Sequence, residues 1–152
     1  MRKVWITAAA LFLACNLAAA AHMKKEDLPA GPIRDRHELM EGIGKNAKII
    51  GDALKAGNTA PVAGAAEKLQ GDAAKITALF PPGSTHAKSR AKPEIWQNWP
   101  KFEEGTKELQ ANAGRLAAAA RSGGDVRAAA KAMFGACKSC HDQFRVPEKK
   151  KG

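Results

Sequence analysis

Tyrosine is absent from this 152-residue chain, and aromatic residues make up only 5% of it. Its apolar residues are weighted toward alanine, which lets helices approach closely but fills little core volume. The apolar run from Val4 to Ala14 is shorter than the roughly 20 residues a bilayer span requires, so no transmembrane helix is expected there. Acidic residues are in the minority, with 15 against 25 basic and a formal net charge of +10. Such a balance favours docking to acidic partner proteins and speeds encounter at low salt. The cations are dispersed apart from Lys149-Lys150-Lys151, which reads as a solvated terminus. Nucleic-acid binding is therefore not expected. No general base, nucleophile or substrate pocket is legible, so the chain does not read as an enzyme. Internal repeats and a second domain are also absent.

Against this sparse background stands Cys137-Lys138-Ser139-Cys140-His141, a C-x-x-C-H run. The spacing is the attachment signature of c-type haem: two thiols one helical turn apart meet the two vinyl groups of one porphyrin, and the adjacent imidazole becomes an axial ligand of the iron. A buried macrocycle would also supply the volume that the alanine-rich core lacks. Zinc binding and dithiol redox chemistry are the remote alternatives. A zinc site would need further ligands, and His22, His37, His86 and the carboxylates form no second paired cluster. A thioredoxin-like dithiol should follow a strand, and nothing resembling one precedes Cys137.

The N-terminus fits the haem reading. Arg2 and Lys3 form a positive region, Val4 to Ala14 an apolar one, and Ala18 to Ala21 a small-residue cleavage stretch. Residues 1–21 thus read as a signal peptide and 22–152 as the exported domain, with the periplasm as its destination. Haem is joined to C-x-x-C-H motifs outside the bacterial cytoplasm, so export is what the motif requires. Cys15 falls inside the apolar region and would leave with it; a lipid anchor on Cys15 is the alternative. Once Cys15 is gone, no structural disulfide remains.

Helical periodicity runs through the exported part. The first stripe is Ile33, His37, Met40, Ile43/Gly44, Ala47, Ile50 and Leu54, ended by Gly57-Asn58. Thr59 or Ala60 caps the second helix, with Pro61 in its first turn and a stripe from Val62 to Phe80. A loop rich in turn residues spans Pro81 to Pro93. The third helix is expected to begin near Pro93 or Glu94, to carry the stripe Trp99, Phe102, Thr106, Leu109, Ala113, Leu116 and Ala120, and to break at Ser122-Gly123-Gly124. Asp125 caps the fourth, whose apolar face carries Val126, Ala130, Met133, Phe134, Cys137, His141 and Phe144. Two short connections and one long one imply an all-α, antiparallel up-down-up-down four-helix bundle enclosing one haem.

With these motifs in place, the chain resembles the class II c-type cytochromes, the cytochrome c-prime family. The resemblance rests on the C-terminal C-x-x-C-H run continuing as Asp142-Gln143-Phe144-Arg145, on Phe80-Pro81, and on Pro93-Glu94-Ile95-Trp96. It covers essentially the whole exported part. It implies one covalent haem c, with Cys137 and Cys140 as thioether residues and His141 as the proximal iron ligand. It also implies that Met40 is the distal ligand, since Gly42-Ile43-Gly44-Lys45-Asn46 and Ile49-Ile50-Gly51 look like the low-spin branch, whose members are read as one-electron carriers. His/Met ligation raises the reduction potential. In the alternative, the iron is five-coordinate and binds NO or CO, with Met40 only crowding the distal face. His37 is the rival distal ligand on the same stripe. Arg36 and Arg145 are expected in the haem environment, near a propionate and the proximal imidazole respectively, with Arg145 four residues, one helical turn, beyond His141. Homodimers through the first two helices are common in this family.

Overall fold

The structure, a computed structural model, describes residues 27–147. The expected signal peptide, Cys15, His22, Met23 and Lys149 to Lys151 lie outside the described residues.

Helix α1 spans Pro32–Lys55, α2 Val62–Ala73, α3 Glu94–Gln97, α4 Trp99–Ser122 and α5 Val126–Phe144; a 3-10 turn covers Thr77–Leu79. The four long helices form the expected antiparallel bundle. Local chemistry sets most of their ends. Pro32 occupies the first turn of α1, where its missing N–H costs nothing. Gly123 closes α4 in the left-handed region at φ 73°, which favours a residue without Cβ. The Asp125 side chain accepts a 2.9 Å hydrogen bond from the Ala128 N–H and caps α5.

The third helix differs from expectation. It is divided at Asn98 (φ −131°, ψ 50°) into the single turn α3 and the long α4. Pro100 explains the division: it cannot donate to the Trp96 carbonyl, and its ring would clash there. The chain therefore restarts, with Lys101 and Phe102 donating to the Asn98 carbonyl at 3.1 and 3.2 Å. The second helix also ends early, at Ala73, yet Ile76 and Phe80 are buried through the 3-10 turn.

Helix α2 packs along α4, α4 along α5 and α1 along α2, whereas α1 and α5 scarcely touch. The α2–α4 seam is tight: Val62, Ala66, Leu69, Ala113 and Leu116 have no exposed surface. A Cβ added at Gly114 would come within 2.8 Å of the Gln70 amide nitrogen. Fully burying a leucine or valine side chain contributes about 1.5–3 kcal/mol, so this seam holds much of the fold's apolar stabilisation.

The middle loop is fastened at both sides. Trp96 Nε1 donates to the carbonyls of Phe80 and Pro81 at 3.1 and 3.0 Å. An isolated antiparallel bridge pairs Ala91 with Arg145, with Lys92 N–H donating to Phe144 O at 2.9 Å and Val146 N–H to Arg90 O at 2.8 Å. Lys92 Nζ donates to the carbonyls of Asp142 and Gln143, satisfying acceptors that the end of α5 leaves open. Phe80, Phe102 and Phe144 form an edge-to-face cluster at this end of the bundle, with centroids 4.9 and 5.4 Å apart.

Candidate functional site

Where α1 and α5 part, a cavity of about 1240 Å³ opens, walled by α1, α4, α5 and the loop segment 88–91. Its volume exceeds the roughly 300–1,000 Å³ of ordinary small-molecule pockets. The period of α5 delivers Phe134, Cys137, Cys140 and His141 to one wall; that of α1 delivers His37, Met40, Ile43 and Ala47 to another. Residues predicted from widely separated stripes thus meet around one space.

The two thiols are unpaired and half-buried. Burial pushes both thiols up; at Cys140 the neighbouring Cys137 adds to the effect, and its pKa reaches about 11. This is the reverse of a redox dithiol, whose attacking thiol is held below the ordinary value. Zinc fares no better: among the described residues, no group of three or more His, Cys, Asp or Glu could hold a metal ion.

His141 is pushed down, first by burial and then by the positive charges of Arg145 and Arg90, with Asp142 opposing weakly. Both causes favour the neutral imidazole, the form whose lone pair can bind a metal. On the facing wall Met40 is half-buried and offers a thioether. His37, one turn earlier, carries a buried Nε2 that makes no hydrogen bond and lies 3.5 Å from Glu41 Oε1.

Arg36, a residue of α1, is 4% exposed. Its guanidinium donates to Ser84 Oγ, Ser84 O and Ser89 Oγ at 2.9, 2.7 and 3.0 Å, and lies 4.7 Å from the Phe80 ring centroid. Burial pushes its pKa down. Arg36 lines the cavity and binds the loop to α1 at once. Arg145 also lines it, but it is not the next helical turn the sequence implied: α5 ends at Phe144, and Arg145 is extended at φ −120°, ψ 133°.

Several cavity residues were not foreseen, Arg90 and Thr106 among them. Arg90 comes from the loop, and Thr106 from α4 turns its hydroxyl to the Glu103 carbonyl at 2.8 Å. Thr106 was visible on the helical stripe; Arg90 carries no periodic signal. Met133 is fully buried, as packing was expected to make it. His86 is exposed and does not line the cavity; its Nδ1 accepts from the Lys88 N–H at 3.2 Å.

Two thiols one turn apart, an imidazole beside them, apolar walls and a buried guanidinium fit a covalently held haem. Comparison with known proteins agrees. The family profile described as Cytochrome C′ matches residues 31–145. A cytochrome c′ from Rhodospirillum rubrum is 31% identical over 151 residues, covering 96% of this chain and 99% of that protein. The crystal structure of cytochrome c′ from Thermochromatium tepidum superposes with a TM-score of 0.71 at 30% identity, covering 84% of this chain and 100% of that one. The nitric oxide complex of a mutant cytochrome c prime from Alcaligenes xylosoxidans gives 0.68 at 27% identity, covering 82% and 98%. These likenesses lend no support to the low-spin, Met-ligated branch.

Proposed function

The chain belongs to the cytochrome c′ family, whose members carry covalent haem c, and from that premise we propose that it is a gas-binding haem protein whose iron is left open on the side of α1. Cys137 and Cys140 hold the haem through thioethers, and His141 is the proximal ligand. When bound, the haem supplies an iron that can exchange one electron and take a small ligand such as NO or CO. His141, whose neutral form is favoured by burial and two nearby arginines, would offer its lone pair to that iron. Arg36 presents a buried positive charge suited to a propionate, which would complete the neutralisation that its three hydroxyl and carbonyl partners leave undone. Arg145 adds positive charge on the proximal side. Met40, with Ile43 and Ala47, makes the distal wall apolar and crowded, which excludes water and large ligands.

The observation that carries this reading is the cavity itself, with attachment and proximal residues on α5 facing an apolar stripe on α1. The nitric oxide complex among the structural relatives supports it further. The second reading, a one-electron carrier with His141 and Met40 both ligating, rests on Met40 lining the same cavity. In either case residues 22–152 form the exported, periplasmic domain, released from a leader over 1–21 or anchored through Cys15. Among the described residues no helix is long and apolar enough to cross a membrane. Redox partners with acidic faces match the basic surface, and α1, with Ile49 46% exposed, offers a homodimer contact.

Absorption spectra of the reduced protein with and without CO separate the readings. A broad high-spin spectrum that shifts with CO is expected. A sharp low-spin α-band indifferent to CO would reinstate the carrier, and Met40→Ala should then convert it to the open form with haem still attached.

A further inference from the structure

Arg145 leaves α5 before its side chain begins, so the helix does not fix where that side chain points. Its N–H still donates to the His141 carbonyl at 3.0 Å. What orders the segment beyond is the loop. Arg90 Nε and Nη2 both donate to the Val146 carbonyl, at 3.0 and 2.7 Å, while the Val146 N–H donates back to the Arg90 carbonyl at 2.8 Å. The Ala91–Arg145 bridge lies inside this reciprocal pair. Upstream, Ser89 accepts from Arg36, so the clasp is continuous from α1 through the loop to the end of α5. Arg90, Arg145 and Val146 all line the cavity, as does His141.

We propose that Arg90 is a positioning residue: its two-pronged grip on Val146 holds Arg145 against the side of the cavity that carries His141. This rests on the haem reading above, because the consequence is felt at the iron. A guanidinium fixed beside the proximal imidazole favours the reduced state, which carries one positive charge fewer. Loosening the grip lets the exposed Arg145 side chain swing away from the imidazole, where water and salt screen it further.

Lysine keeps the charge of Arg90 but not the rigid fork, so Arg90→Lys separates position from charge. In the haem-loaded protein, Arg90→Lys should speed hydrogen exchange at the Val146 amide about fivefold. It should also move the ferrous/ferric balance about threefold toward ferric, about 28 mV on the scale of about 59 mV per tenfold for one electron. In an Arg145→Gln background the same change should move that balance less than half as far, because only the direct field of residue 90 on His141 is then altered. A shift just as large in that background would overturn the proposal, as would unchanged exchange and unchanged balance in the single variant. Absence of covalent haem from every form would instead break the functional reading, while exchange at Val146 would still judge the clasp.

Discussion

The seam between α2 and α4 and the seam between α1 and α5 are written in the same helical period, yet they do opposite work. The first closes on itself with alanine, valine and leucine, so that a methyl group at Gly114 would have to displace the end of the Gln70 side chain. The second stays open around about 1240 Å³ of cavity. Small residues explain both outcomes. They draw α2 onto α4, and the aromatic poverty of the chain leaves nothing large enough to fill the space opposite. One half of the bundle is completed by the polypeptide, and the other by a group the polypeptide must attach.

The contrast can be broken most severely at the proposed attachment residues. Cys137→Ala with Cys140→Ala should abolish the covalent haem mass altogether. The α1–α5 side should then lose amide protection, while α2 and α4 keep theirs in hydrogen exchange. Equal loss on both sides would erase the distinction.

Leu69→Ala strikes the other seam. It removes a fully buried side chain and should cost about 2–5 kcal/mol in denaturant unfolding. The haem spectrum should stay unchanged, because Leu69 does not line the cavity. A spectral change as large as that of a cavity residue would show that the seams are not separate.

Acidity sharpens the comparison from the open side. In the haem-free chain Cys140 holds its proton up to about 11 instead of the ordinary 9.0. The folded form therefore binds this proton more tightly than the unfolded form. The resulting stability is fully present below about pH 9 and is lost as pH rises toward about 11. Alkylation of Cys140 at pH 8 should run about a hundredfold slower than in an unfolded peptide, as two pKa units imply.

The smallest effect is expected where neither seam is touched. Asp125→Ala removes the cap of α5 and should cost about 1 kcal/mol by thermal or denaturant melting, with haem content intact.

Much of this is legible in the sequence alone. The C-x-x-C-H run, the stripes of α1 and α5 and the Asp125 cap each depend on residues within a few turns, so spacing alone carries them. Pro100 was in plain view as well, but its effect on Trp96 was hidden by an otherwise clean stripe running from Trp99 to Ala120. The reciprocal bonding of Arg90 and Val146 could not be read at all, because it joins positions 56 apart with no shared period. The same reason put Arg145 one turn along a helix that in fact stops at Phe144. Patterns local in sequence gave the walls of the cavity; contacts distant in sequence determine how its mouth is tied.

The guanidinium sealed behind Ser84 and Ser89 carries a consequence for how this chain can vary. Pulling the loop away from α1 would strand a desolvated cation above Phe80 with its acceptors removed, so the two segments can only change together. Insertions between Pro82 and Pro93 are tolerable only if a hydroxyl and a carbonyl still reach Arg36. Selection in that stretch should therefore act on reach, with composition left comparatively free.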